Sequence, residues 1–516
     1  MGAMLLHCTR IVTLRGNRMK FGSLLALVWI MALAGCARQS IHAPVAPGVA
    51  IIPAPQWLMV TGGELRLAGA VDVSADADAP RARRALDEVL GRVGLATSAQ
   101  AATRLQLRRV DDPTLGDEGY RLRIDDGITL EARTDAGLFY AVETLRQLLP
   151  PAPPAKGHAI TLPQLAITDV PAYRWRGSSL DVARSFLPVS YLKAHIDRMA
   201  FFKLNRLHLH LTDDQGWRIE IKRYPRLTEI GGASAVKGGR PGFYTQAELR
   251  ELVAYAAARN VTIVPEIDLP SHIQAAISAY HQLACDDVTN LGPYAGIDVG
   301  FNILCLQKPD VVYPFVRNVL TEVAAIFPSE YLHIGGDEIK NPLYADFVAR
   351  AAGIVNDLGR KAIVWEEGSV AATRPDTLLQ LWNDKYPTAA ATAEGHRWIL
   401  SPCSHFYLDH GNYPGQPDTQ TWCRNGVPLE RVYRFDPRAY PPAAGVEGDL
   451  WSEFVPTDAA TDNRLWPRLA AVAEVAWRDP ASPLDYPGFL RRLRALRPQF
   501  DAMHIRYYAG PEVWGK

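Results

Sequence analysis

Tyr331-Leu332-His333-Ile334-Gly335-Gly336-Asp337-Glu338 is a short, strand-like apolar run that ends in two glycines and two adjacent carboxylates. Glycines at that point let the backbone bend and approach its neighbours closely. The same plan recurs along the chain. Candidate strands at 174–181, 206–213, 261–268, 361–366, 377–382, 397–402 and 445–451 also run into polar or aromatic groups. These are Asp181 with Arg184, Asp213 with Asp214, Glu266 with Asp268 and His272, Trp365 with Glu366, Trp382, Tyr407 with Asp409, and Trp451 with Glu453. Helical patterns separate several of the strands. One opens at Thr245, where Thr245 and Glu248 form a capping-box signature ahead of Leu249, Leu252 and Val253. Eight strands in β–α alternation predict an α/β fold, a (β/α)8 TIM barrel over residues 170–505. The crossover between the fifth and sixth strands is short, which predicts a reduced helix there. In such a barrel the strand ends converge on one face, where active sites lie.

That convergence has chemical content. Adjacent carboxylates raise the proton affinity of at least one of them, which creates a proton donor at working pH. An isolated Asp-Glu pair is ordinarily an exposed acidic loop; the Gly-Gly turn at a strand end favours a site instead. Carboxylates among tryptophans suit sugar chemistry, since the charges hold hydroxyls and the rings stack on the apolar sugar faces. Composition agrees without deciding. The chain has 516 residues, 55 basic and 55 acidic, and 48% hydrophobic content. A net charge of zero disfavours nucleic acid or an anionic membrane surface as the main partner. Two rival readings remain. His208 and His210 share one face of a strand, as zinc ligands of a metal-dependent hydrolase do, but only His272 is available as a further histidine. A sugar-binding lipoprotein without turnover would not need Asp337, Glu338 and Tyr407. We therefore expect no metal and no cofactor.

Ahead of the barrel, residues 56–165 read as a small α+β accessory domain. Tyr120, Leu122 and Ile124 alternate, Ile128, Leu130 and Ala132 alternate again, and Asp126-Gly127 between them is a hairpin turn signal. A helix is expected over 136–149. Residues 37–55, rich in Ala and Pro, read as a tether. The first 36 residues read as an export signal: basic Lys20, an apolar stretch over 24–33, then Leu33-Ala34-Gly35-Cys36. Met19 is a candidate start. The ending resembles a bacterial lipobox. That resemblance implies cleavage before Cys36, a lipid on its sulfur, and an exported lipoprotein, outer-membrane in the reading that Ala37 favours. Cys285 with Cys305 and Cys403 with Cys423 are local pairs, though three pairings of the four are open.

The stretches Trp175-Arg176-Gly177, Leu180 to Arg184, Leu207 to Arg218, Val264 to His272, His333 to Glu338, Tyr407-Leu408-Asp409, Leu450 to Glu453 and Ala473 to Trp477 resemble glycoside hydrolase family 20, the β-N-acetylhexosaminidases, in the family's order. Glu118-Gly119-Tyr120 and Leu145 to Leu149 resemble its accessory domain. The resemblance implies retaining, exo-acting hydrolysis of terminal N-acetylhexosamine from an oligosaccharide or glycoconjugate, with no protein nucleophile. The substrate's acetamido oxygen attacks and forms an oxazoline-like intermediate. Glu338 then acts as acid and base, Asp337 orients the acetamido N–H, and Tyr407 donates to its oxygen. Trp365, Trp382 and Trp451 wall the acetamido pocket. Arg184, Asp409 and Glu453 bind ring hydroxyls, and Asp213 with His272 tunes Glu338. His333, Glu474 and Trp477 read as structural. The chain departs from the family's pattern at Ser271, where Gly is usual, at Ser185, where many members have His, and in a short loop after Glu338.

Overall fold

Eight parallel strands close into a barrel: Trp175–Asp181, Arg206–His210, Thr262–Glu266, Tyr331–His333, Lys361–Trp365, Leu378–Leu381, Arg397–Leu400 and Ala443–Leu450. The last pairs with the first, Gly445 opposite Trp175 and Leu450 opposite Leu180. In this computed structural model the described residues are 49–515, apart from 77, 157, 300, 301 and 441. The export signal, Met19 and Cys36 lie outside them. All eight expected strands are present, and the reduced fifth crossover is a single 3-10 turn, Glu366–Val370. Thr245 caps the helix Gln246–Ala257 with both capping-box hydrogen bonds in place. No helix among the described residues is long and apolar enough to cross a membrane.

The barrel interior is layered by the period-two alternation of its strands. Trp175, Val264, Ile363, Leu378, Ile399 and Ala444 form an apolar plug at the N-terminal end. Two residues further on, Val264 gives way to Glu266, Ile363 to Trp365 and Leu378 to Gln380, all fully buried. Above the plug, then, the barrel carries a buried layer that includes polar side chains, and the cleft sits on that layer.

The accessory domain is a seven-stranded mixed sheet with the helices Pro80–Arg92 and Asp135–Leu148. The expected hairpin is present, with Ile124 opposite Ile128 and Tyr120 opposite Ala132. The strand Ile160–Asp169 runs past position 165. The described end of the expected tether is not free chain. Ile51 and Ile52 are fully buried, Ile52 N donates to Gln147 Oε1 (2.8 Å), and Ala54 N donates to Glu474 Oε2 (2.9 Å). Two isoleucines among the prolines supply the apolar anchor that composition alone concealed. At the other end, the helix Pro511–Trp514 extends the packed unit past 505, with Trp514 edge-on to Phe500. Both disulfides follow the local pairing, Cys285–Cys305 and Cys403–Cys423.

Arg176, fully buried on the first barrel strand, ties the two domains. Its guanidinium donates to Glu118 Oε2 (2.8 Å) and Oε1 (3.0 Å), and lies over the rings of Tyr140 and Trp477. Removing one member of such a pair leaves an uncompensated buried charge. Glu118→Ala is therefore expected to destabilise the protein by roughly 3–5 kcal/mol in a denaturant titration. A loss below about 1 kcal/mol would show that the pair does not hold the domains.

Candidate active site

The cleft opens at the C-terminal end of the barrel, a cavity of about 290 Å³ at the small end of ligand pockets. Its lining comes from almost every strand end. Arg184 follows the first strand, His210 and Asp213 the second, Asp268 and His272 the third, and Asp337 and Glu338 the fourth. Trp382 follows the sixth, Tyr407 and Asp409 the seventh, and Trp451 and Glu453 the eighth. The turn at the fourth strand is built as its glycines require. Gly335 and Gly336 hold φ of 68° and 100°, and a Cβ on Gly335 would collide with the Asp268 carboxylate. Glu338 (φ 55°) and His272 (φ 53°) also sit in the left-handed region, which costs a non-glycine residue about 1–3 kcal/mol.

The two carboxylates at this turn are not equivalent. The Asp337 side chain is 14% exposed and that of Glu338 38%, so Glu338 is the one at the open side of the cleft. Burial, reinforced by Glu338, pushes Asp337 up to about 6 against the pull of His272. Burial also acts to raise Glu338, but the imidazolium of His272, 3.4 Å away, and Arg184 outweigh it and hold Glu338 below the usual carboxylate range. Adjacency was expected to raise the proton donor. The raised member is Asp337 instead, because His272 faces both carboxylates and Glu338 keeps more water.

His272 is itself kept charged. Burial opposes its charge, yet Asp213 and then Asp337 outweigh the penalty and lift it well above the ordinary imidazole value. Asp213 pairs with Arg184 Nη2 (2.8 Å) and accepts from His210 Nε2 (2.7 Å) and His272 Nδ1 (3.3 Å). Those cations hold it below the usual range against its own burial. Arg184 lies over the Trp451 ring, 5.2 Å from its centroid. Glu453 is raised to about 7 by burial, Arg184 opposing.

One wall is aromatic. Trp382 stacks on Tyr407 (centroids 6.5 Å apart, 20° between planes), and Tyr407 meets Trp451 edge-on at 5.8 Å. Trp365, expected in this wall, is fully buried. It donates its indole N–H to Glu266 (3.0 Å) and backs Trp451 from beneath rather than bordering the cavity. Six buried polar atoms of lining residues have no hydrogen-bond partner in the protein: Arg184 Nε, His272 Nε2, Asp337 Oδ1, Asp409 Oδ1, Trp451 Nε1 and Glu453 Oε2. Buried polar groups are ordinarily satisfied. Three acceptors and three donors around an aromatic wall suit a ligand that carries both hydroxyls and N–H or carbonyl groups.

Several contributors escaped the sequence reading. Asp268 was seen at a strand end without a role; its carboxylate accepts from Gly336 N (3.3 Å), and burial and Asp337 raise its proton affinity well above normal. Glu367 accepts from the Trp382 indole (3.2 Å) and is raised to about 7 by burial and Asp337. Trp422, exposed at the mouth, packs edge-on to Trp382 (5.7 Å). Its position beside Cys423 was the available signal. The departures also find partners. Ser271 Oγ donates to the Asp337 carbonyl (2.7 Å), and Ser185 Oγ accepts from Arg240 N (3.2 Å). His208, Glu266 and His333 lie close enough to hold an ion. Their facing atoms are engaged with one another, though, and His208 Nδ1 is taken by Glu447 (2.8 Å).

The chain matches two family profiles. "Glycosyl hydrolase family 20, catalytic domain" covers residues 173–346 and 340–480, and "Glycosyl hydrolase family 20, domain 2" covers 48–170. A β-N-acetylhexosaminidase of Cellulomonas fimi is 38% identical over 490 residues, 90% of this chain and 97% of that protein. The family 20 β-N-acetylhexosaminidase structure from Streptomyces coelicolor A3(2) superposes with a TM-score of 0.83 at 37% identity, over 91% of this chain and 99% of that one. An N-acetyl-β-hexosaminidase of Streptomyces plicatus, in a variant bound to its product GlcNAc, gives 0.83 at 38%, again over 91% and 99%.

The buried charge on Asp337 has a measurable consequence. Its carboxyl is raised from 3.8 to about 6, so the folded protein holds this proton more tightly than the unfolded chain does. Stability is therefore lost as pH rises from about 4 to about 6. Asp337→Asn should be more stable than the wild type at pH 7, by on the order of 2 kcal/mol, with the difference vanishing near pH 4. Urea unfolding at both pH values checks this. Equal stability at pH 7 would mean that Asp337 is not strained there.

Proposed function

Because the chain belongs to glycosyl hydrolase family 20, a family of glycoside hydrolases, we propose that it is an exo-acting β-N-acetylhexosaminidase. It releases terminal GlcNAc or GalNAc by retaining, substrate-assisted hydrolysis. One observation carries the reading: Asp337 lines the same cavity as Trp382, Tyr407 and Trp451 and carries a buried, unpartnered carboxylate oxygen, while its neighbour Glu338 is the more exposed of the two carboxylates. A carboxylate so placed is suited to holding an N–H, and family 20 is an exception to the scheme with a carboxylate nucleophile.

In the first step the acetamido oxygen attacks the anomeric carbon, the glycosidic bond breaks, and Glu338 gives its proton to the leaving oxygen. Glu338 is held low in the open cleft. A sugar ring that expels water raises its proton affinity by desolvation and prepares it to donate. Asp337 accepts from the acetamido N–H and stabilises the positive charge of the oxazoline-like intermediate. Tyr407 donates to the acetamido oxygen, and the aromatic wall keeps the group in attack geometry. In the second step Glu338, now a carboxylate, takes a proton from water as the water opens the intermediate. Arg184, Asp409 and Glu453 hold ring hydroxyls; each lines the cavity and has a buried polar atom without a partner in the protein. Export and a lipid on Cys36 complete the proposal, on the strength of the Leu33 to Cys36 stretch.

Glu338→Gln is expected to remove at least about 100-fold of the rate on an aryl N-acetyl-β-glucosaminide. A thiazoline mimic of the intermediate should inhibit competitively. Wild-type rates in the variant would rule out Glu338 as the acid, and indifference to the thiazoline would rule out the acetamido nucleophile.

A further inference from the structure

The polar layer beneath the cleft is larger than the chain Asp213–His272–Glu338 requires. Asp213 also receives His210 Nε2 (2.7 Å), whose Nδ1 is 2.5 Å from Glu266 Oε2. Glu266 Oε2 lies 3.1 Å from His208 Nε2, and His208 Nδ1 lies 2.8 Å from Glu447. An unbroken alternation of carboxylate and imidazole thus runs from Glu447 through His208, Glu266, His210, Asp213 and His272 to Glu338. Only its last member is open to solvent. Glu447, His208 and Glu266 do not border the cavity. Apolar residues of similar volume would fill the same space at no loss of stability, so packing alone does not account for these charges.

We propose that His210 and Glu266 are positioning residues for the acid/base carboxyl. His210 holds Asp213 as the anion facing His272, and Glu266 keeps His210 a cation. The inference rests on Glu338 as the acid/base. The other titratable groups around this chain are fixed by the same geometry: Arg184 and Asp214 beside Asp213, Asp268 and Asp337 beside His272, and His208 and His333 on Glu266. Trp451 closes the remaining side of His210, edge-on at 5.1 Å. Burial acts against charge on His210, but Glu266 and Asp213 outweigh it and hold it well above the ordinary imidazole value. The positive charge on His210 therefore depends on Glu266, and removing either residue takes that charge off the line toward Glu338.

The test is the pH profile of kcat/KM, whose alkaline limb reports loss of the acid's proton in the free enzyme. His210→Gln keeps an amide within reach of Asp213 but removes the cation. The proton affinity of Glu338 then rises, and the limb moves up by about one pH unit. Glu266→Gln keeps the shape and removes the anion that keeps His210 charged, so His210 gives up its proton and the limb moves up as well, by less than in His210→Gln because an anion is lost with the cation. Thermal melts identify a variant that does not fold, in which case the direction seen in the other decides. Upward shifts support the proposal. Reduced activity with unmoved limbs, or a downward shift in either variant, overturns it and leaves these residues structural. Wild-type rates in Glu338→Gln would instead remove the acid/base reading on which the proposal stands.

Discussion

A carboxylate buried in the middle of a barrel must be surrounded by donors, and Glu266 is such a group. It takes hydrogen bonds or close ionic contacts from His210, His208, His333 and the Trp365 indole, four side chains from three neighbouring strands. The imidazoles, His333 first and then His210 and His208, hold its carboxyl well below the usual range in spite of complete burial. This cluster makes the upper half of the barrel polar and buried. Through His210 it anchors Asp213, and through Trp365 it supports Trp451. The catalytic face thus stands on a set of interactions that tolerates little displacement, because every member is both buried and charged or hydrogen-bonded.

Upon that base the cleft divides its labour by exposure. Asp337 is enclosed, raised and short of a partner, which suits a group that waits for a ligand N–H. Glu338 is one residue further along and open to the mouth, held low by His272 until the cleft dries. The aromatic wall lies on the enclosed side and Trp422 at the mouth. A strained backbone at Glu338 and His272 is the local cost of turning both side chains inward.

Much of this was legible in the chain. The strands of a parallel barrel are short apolar runs with polar ends, and all eight appeared in that form because both faces of each are buried. The hairpin around Asp126-Gly127 and the cap at Thr245 were legible for the same reason: a local rule and the tertiary structure agree. What failed depended on distant neighbours. Adjacency pointed to a raised proton donor, but His272, far away in sequence, lowers Glu338 and leaves the raised value on Asp337. Trp365 carries an aromatic signature indistinguishable from that of Trp382, and only the position of Glu266 draws it below the wall. Ile51 and Ile52 were hidden in a proline-rich segment whose composition resembles a linker. Glu367 sits on the 3-10 turn after the fifth strand and Trp422 on a loop, where no periodicity marks them.

The central claim is that the nucleophile belongs to the substrate. It is tested most directly by comparing kcat/KM for an aryl N-acetyl-β-glucosaminide with that for the matching aryl β-glucoside, which lacks the acetamido group. The account predicts a preference for the acetamido sugar of at least about a thousand-fold, the size expected when a positioned reacting group is deleted. Comparable rates on the two substrates would contradict it.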